Sequence, residues 1–203
     1  MKLKNIYVIR HGETDWNKNQ RFQGQTDVQL NETGRDQALA LRPFLNQLEI
    51  ESLYSSPLSR AVETAQLATQ DLKLTLRQDD RLRETNIGEA EGLTHSEIIE
   101  KFGELSLVNW RSYEERLLDF RFPKGESKRQ LMFRVREVFL DIAQNSNRTS
   151  VAVFAHGMVM RAMTFVFSSG LAWDPQVFCN GCIHQYTWSD ELPEQLIYKG
   201  RIY

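Results

Sequence analysis

The sequence predicts an α/β fold of three layers, a mainly parallel central sheet with helices on both faces. Two short apolar runs, Ile6-Tyr7-Val8-Ile9 and Val151-Ala152-Val153-Phe154-Ala155, have the continuous β-rich composition of strands buried on both faces. The segments between them carry apolar residues at helical spacing, and strands alternating with helices imply parallel winding. Near the C-terminus, Cys179-Asn180-Gly181-Cys182 contains the Asn-Gly hairpin signal, with alternating residues after it. That adds an antiparallel edge.

Taken in order, the first strand stops at Arg10-His11-Gly12. Asn31 caps a helix bearing Ala38, Leu41, Leu45 and Leu48, with a kink expected at Pro43. Leu53-Tyr54-Ser55 reads as a second strand. Ser56-Pro57 follows as cap and first residue of a helix through about Ala68. Leu74 to Leu76 is a third strand candidate, followed by a polar loop from Asp79 to Gly92. Thr94 and Glu97 form a capping box before Ile98, Ile99 and Phe102. Ser127 and Gln130 form another, before a helix with Leu131, Val135, Val138, Phe139 and Ile142 on one face. The strand at 151–155 ends at His156-Gly157 and leads into a helix through about Val166. Residues from about 93 to 125 interrupt the core pattern and are expected to form a helical lid. No linker or repeat divides the chain, so residues 1–203 are expected to form one domain.

Composition narrows the function. A net charge of −2 over 203 residues supplies no basic field for nucleic acid. No apolar run approaches the roughly 18–20 residues of a membrane span, and the apolar stretch after Met1-Lys2-Leu3-Lys4-Asn5 is too short for a secretory leader. Two cysteines are too few for a disulfide scaffold, so a cytoplasmic protein with reduced thiols is expected.

The chemistry lies in a repeated phrase: an apolar strand, then His-Gly. His11 and His156 each follow such a strand. In open α/β sheets the ligand crevice lies beyond the carboxyl ends of the strands. Two imidazoles delivered there can meet around one small ligand, with Gly12 and Gly157 expected to permit close backbone approach. The arginines identify the ligand as anionic. Arg10 adjoins His11, and Arg60 sits in the first turn of a helix, where free amides and the macrodipole attract anions. Asn17 adds a neutral donor. Two guanidiniums, two imidazoles and an amide describe a phosphate pocket. A neutral imidazole can attack phosphorus while cationic donors stabilise the equatorial oxygens, the electrostatic part that a metal takes elsewhere. The leaving alkoxide needs a proton, and Glu84, in the polar loop, is the leading acid. Glu89 and Glu91 compete for that role.

Arg10-His11-Gly12-Glu13-Thr14 with Asn17 resembles the signature of the histidine phosphatase superfamily, the phosphoglycerate mutase-like fold. Ser55-Ser56-Pro57-Leu58-Ser59-Arg60-Ala61, Arg81-Leu82-Arg83-Glu84 with Gly88, and Ala155-His156-Gly157 with Arg161 match its later motifs in order. The resemblance implies His11 as nucleophile, forming a phosphohistidine, and Glu84 as proton donor. Arg10, Asn17, Arg60, His156 and Gly157 become phosphate ligands, with Gln23 and Gly24 at the rim. No metal and no cofactor is implied. Met158 departs from the family pattern, which often has a second glycine there.

Within the family, Glu84 and His156 stand 72 residues apart, shorter than mutases usually allow. The expected activity is therefore hydrolysis of a small phosphorylated metabolite. Gly125-Glu126-Ser127 and Gly181-Cys182 resemble the α-ribazole-5′-phosphate phosphatases of cobalamin synthesis. A phosphoglycerate mutase and a non-catalytic phosphate binder are the alternatives, and a homodimer is left open. Cys179, Cys182 and His184 fall short of a four-ligand zinc site. His95 is expected to be exposed. Trp110, Tyr113, Phe120 and Phe122 in the lid are placed equally in its core or against substrate.

Overall fold

A computed structural model describes residues 3–145, 148–167 and 178–203. Its single sheet has the order β3-β2-β4-β1-β5-β6. Strand β1 (Leu3–Arg10) runs parallel to β4 (Ser150–Ala155), which pairs in parallel with β2 (Ser52–Ser55), and β2 with β3 (Leu76–Gln78). On the other side β5 (Ile183–Ser189) is antiparallel to both β1 and β6 (Ile197–Arg201).

Alternation along β1 and β4 creates the layers, because successive side chains point to opposite faces. Ile6, Val8, Val151 and Val153 pack on one face with Leu131, Val135, Val138 and Phe139 of α6 (Lys128–Asn145). Val159, Met160 and Met163 of α7 (Gly157–Phe167) join them. Tyr7, Ile9, Ala152 and Phe154 pack on the other face. There they meet Leu41 and Leu45 of α2 (Glu32–Leu45) and Ala65 and Ala68 of α3 (Ser59–Thr69). The short helix α1 (Asp15–Lys18) follows β1. Helices α4 (His95–Phe102) and α5 (Leu105–Arg111) occupy the expected lid, where Ile98, Leu107, Trp110 and Phe122 form a separate small core with Ile87 and Ala90. Both predicted capping boxes form, at Thr94–Glu97 and Ser127–Gln130.

Several boundaries differ from the sequence reading. Helix α3 starts at Ser59 rather than at Pro57, and Ser56 does not cap it. Asp27 does so from a distant loop: its Oδ1 accepts both the Ser59 amide and hydroxyl at 2.8 Å. Strand β3 lies two residues later than Leu74–Leu76. Leu48 falls beyond α2, and Pro43 lies inside the last turn of that helix. Asn180-Gly181 makes a tight turn, the Cys182 N–H donating to Cys179 O at 3.3 Å, and among the described residues it does not join two paired strands. The partners of β5 are β1 and β6.

Candidate active site

Register brings the two histidines together. Arg10 of β1 lies opposite Ala155 of β4, so His11 and His156 leave the sheet side by side. Their ring centroids are 5.1 Å apart. Both rings are buried, His11 at 2% exposure and His156 at 0%. The His11 Nδ1–H donates to the Gly12 carbonyl at 2.7 Å; a carbonyl only accepts, so Nδ1 carries the hydrogen and Nε2 keeps its lone pair. Burial holds His11 well below the usual imidazole range, helped by the Arg60 and Arg10 guanidiniums. His156 is lowered the same way, by burial first and then by Arg60. Neither ring nitrogen of His156 has a protein partner among the described residues.

Arg60 is completely buried. Its two terminal nitrogens donate to backbone carbonyls, Nη1 to Thr26 at 2.9 Å and Nη2 to Gly24 at 2.8 Å. Glu84, Asp27 and Glu91 act on it only as charges, and among the described residues its Nε has no partner. Burial pulls the group down to about 10, which leaves it cationic at neutral pH. The Arg10 side chain donates from Nη1 to Phe178 O at 2.7 Å, and its Nε has no partner among the described residues. Two aimed cations with donors to spare make a site for an anion.

Glu84 stands on the same side. Its Oε1 accepts the Thr85 N–H at 2.9 Å and its Oε2 the Met158 N–H at 3.2 Å. Burial pushes the carboxyl up, against the opposing pull of those two amides and of Arg60 and Arg10. The competing glutamates are otherwise engaged. Glu89 pairs with Lys124 at 2.9 Å, and Glu91 accepts the amides of Gln25 and Thr26 at 2.9 Å. The departure at Met158 matters little here, since the backbone N–H makes the bond to Glu84.

The remaining predicted residues line the mouth. Arg10, Asn17 and Gln23 border a pocket of about 460 Å³ together with Trp16, Phe22, His95, Trp110, Arg111 and Arg161. Gln23 and Gly24 also border a smaller cavity beside Glu84. Gly157 lies against Arg10, whose guanidinium carbon is 3.4 Å from where a Cβ would stand. Gly12 does not open space for a ligand as expected: a Cβ there would meet the Gly34 carbonyl at 2.3 Å, so this glycine admits the start of α2. His95 is half-buried at the mouth against Arg111 and Phe22, not exposed. Trp110 and Phe122 are core residues of the lid, and Trp110 also borders the pocket. His184 is buried, stacked on Phe178 and bonded to the Tyr198 hydroxyl at 2.9 Å, which makes it a core residue. Among the described residues no three potential metal ligands cluster, and no helix is long and apolar enough to cross a membrane.

Two features escaped the sequence reading. Asn180 donates from Nδ2 to His11 O at 2.9 Å and to Gly12 O at 3.2 Å, bracing the loop that holds the histidine. Arg134 donates to the carbonyls of Arg81, Arg83 and Glu84 while forming a forked pair with Glu126 at 2.6 and 3.0 Å, and so shapes the loop that carries Glu84. An arginine on an amphipathic helix reads as solvated; only the turn at Gly125-Glu126 hints that its face meets a loop.

Residues 6–197 match the profile of the histidine phosphatase superfamily (branch 1). Phosphoglycerate mutase-like protein 4 of Arabidopsis thaliana is 35% identical over 161 residues, covering 78% of this chain and 68% of its own. A mycobacterial glucosyl-3-phosphoglycerate phosphatase superposes with a TM-score of 0.81 at 27% identity, over 97% of this chain and 96% of that one. The α-ribazole phosphatase of Shigella flexneri shares the fold, with a TM-score of 0.79 at 18% identity over 97% and 95%. With a match spanning nearly its whole length, the chain belongs to the histidine phosphatase superfamily.

Proposed function

We propose that this protein is a phosphomonoesterase acting through a phosphohistidine on His11. The observation that carries the reading is a neutral imidazole, its Nδ1–H bonded to Gly12 O, beside a buried Arg60 and a half-buried Arg10 that each keep a donor without a partner among the described residues. In the first step Nε2 attacks phosphorus, Arg10, Arg60 and His156 hold the phosphoryl oxygens, and Glu84 gives its proton to the departing oxygen. In the second, water attacks the phosphohistidine opposite Nε2, Glu84 takes a proton from that water, and inorganic phosphate leaves. The guanidiniums supply the charge stabilisation throughout, so no metal is required.

The substrate is a small phosphorylated metabolite. The sequence points toward α-ribazole 5′-phosphate and cobalamin synthesis. The outer pocket favours a second reading: among the described residues its lining includes Arg10, Arg111 and Arg161, together with Arg21, which pairs with Glu97 at 3.0 Å, and no carboxylate. Such a wall suits an alcohol part bearing its own anionic group, as in a phosphoglyceryl ester. The test is kcat/KM on α-ribazole 5′-phosphate, glucosyl-3-phosphoglycerate, 3-phosphoglycerate and p-nitrophenyl phosphate, with His11→Ala as the control. Phosphate release from at least one substrate, a base-stable phosphoenzyme and loss of both in His11→Ala are expected. Isomerisation of 3-phosphoglycerate without phosphate release would make the protein a mutase instead.

A further inference from the structure

A cavity of about 70 Å³ adjoins the Glu84 carboxylate. Its walls are largely apolar, formed by Phe22, Ile87 and Trp110, with Gln23 and Thr85 as polar members beside Glu84. Thr85 is almost fully buried, at 1% exposure. Its Oγ1 has no protein partner among the described residues. A buried hydroxyl left so is costly, and natural interiors normally satisfy one with protein or with ordered water. The cavity is large enough, since a water needs roughly 10–15 Å³.

We propose that Thr85 holds the water that hydrolyses the phosphohistidine. The inference rests on the hydrolase reading above and deepens it. The attacking water must approach phosphorus opposite His11 Nε2, through the position the leaving oxygen vacates, and Glu84 serves that position in both steps. Thr85 is tied to the same carboxylate: its N–H holds Oε1 at 2.9 Å. The two neighbouring residues Glu84 and Thr85 therefore line one small volume together. Gln23, whose Oε1 accepts from Thr14 Oγ1 at 3.0 Å, lines the same volume. Glu84, Thr85 and Gln23 are the residues with polar side chains around it, and a held water makes two to four hydrogen bonds. As the water oxygen bonds to phosphorus, the P–Nε2 bond breaks and its electron pair returns to the ring. One water proton passes to Glu84, and the other stays on the phosphate formed. A mutase has to exclude water at this point and a hydrolase has to hold it, so Thr85 acts on the second step alone.

Thr85→Val keeps the shape and removes the hydroxyl, and Thr85→Ser keeps the hydroxyl. Rapid mixing with p-nitrophenyl phosphate separates the steps: the nitrophenol burst reports phosphorylation of His11, and decay of the base-stable phosphoenzyme reports its hydrolysis. In Thr85→Val the burst rate is expected to stay at the wild-type value, while phosphoenzyme decay slows roughly two- to tenfold, the worth of one hydrogen bond. Added glycerol should then capture a larger share of the phosphoryl group than in the wild type. Thr85→Ser should restore decay, and the melting temperature of Thr85→Val should not fall, because the lost hydroxyl had no protein partner. Equal decay in Thr85→Val and wild type, or a slowed burst with unchanged decay, would overturn the assignment while leaving the hydrolase reading in place. A wild type that never forms phosphoenzyme would remove the hydrolase reading and this inference with it.

Discussion

The Glu84 carboxylate and the Met158 backbone amide meet at 3.2 Å, so the candidate acid is tied to the first turn of the helix that begins beside His156. The second histidine and the acid thus share one anchor. In the proposed mechanism turnover needs a protonated Glu84 and a neutral His11, and burial favours both by raising the carboxyl and lowering the imidazole. For an alkyl phosphate, kcat/KM should fall on the alkaline side as Glu84 loses its proton, above 4.5. On the acid side it should fall as His11 gains one, below 6.5. With p-nitrophenyl phosphate the alkaline limb should flatten, because nitrophenolate leaves without a proton. An unchanged alkaline limb would remove Glu84 from the role.

Exchanging the acid and the clamp separates their contributions. Glu84→Gln should slow hydrolysis of an alkyl phosphate about 10²–10⁴-fold and that of p-nitrophenyl phosphate far less. Arg60→Ala removes charge from the phosphoryl group itself and should slow both by a similar factor, about 10²–10³. The ratio of the two substrates is insensitive to any loss of folded protein. Equal slowing of both by Glu84→Gln would shift the search to another acid.

Asn180 braces the carbonyl that fixes the His11 tautomer. Asn180→Ala should lower kcat by up to about tenfold, the cost of one or two hydrogen bonds, while leaving KM and the inhibition constant of inorganic phosphate near wild type. A raised KM with unchanged kcat would assign Asn180 to binding instead.

The Arg134–Glu126 pair is mostly buried, with exposures of 17% and 16%. Breaking such a pair by removing one partner costs about 3–5 kcal/mol, so Arg134→Met should lower stability by that order in urea titrations. Adding Glu126→Leu should recover part of the stability. Activity should not return, because the carbonyls of Arg81, Arg83 and Glu84 lose their common donor.

Acidification should destabilise the ligand-free protein. Unfolded histidines titrate near 6.5, whereas His11 and His156 resist protonation when folded. As the pH drops below 6.5, the unfolded chain takes up protons that the folded chain refuses, and stability falls until the lowered folded values are reached. Melting temperatures between pH 7.5 and 5 should show this slope, and a His11→Asn/His156→Asn variant should flatten it.

The central strands, the helices behind them and both capping boxes were legible because each is written locally, in apolar runs or in cap residues three apart. The convergence of Arg10, His11, Arg60, Glu84 and His156 was legible only through order and motif, since Glu84, Glu89 and Glu91 look alike as a charged loop. What separates them is tertiary: a lysine holds Glu89, two loop amides hold Glu91, and a helix terminus receives Glu84. The cap of α3 was misread for the same reason, because Asp27 lies 32 residues from Ser59. Asn180 was legible as a turn and not as a brace, since nothing near it in sequence names His11 as its partner.

The strand order has a consequence for how the protein comes into being. The earliest strand, β1, lies between two partners that come much later: Asn5 pairs with Ser150 on one side and Thr187 on the other. During synthesis it therefore waits, with both edges unpaired, until most of the chain has left the ribosome. Contacts this distant slow folding and prolong exposure of an apolar strand. The same arrangement keeps a nascent chain chemically silent, because His11 meets neither His156 nor Asn180 until β4 and the turn before β5 have taken their places.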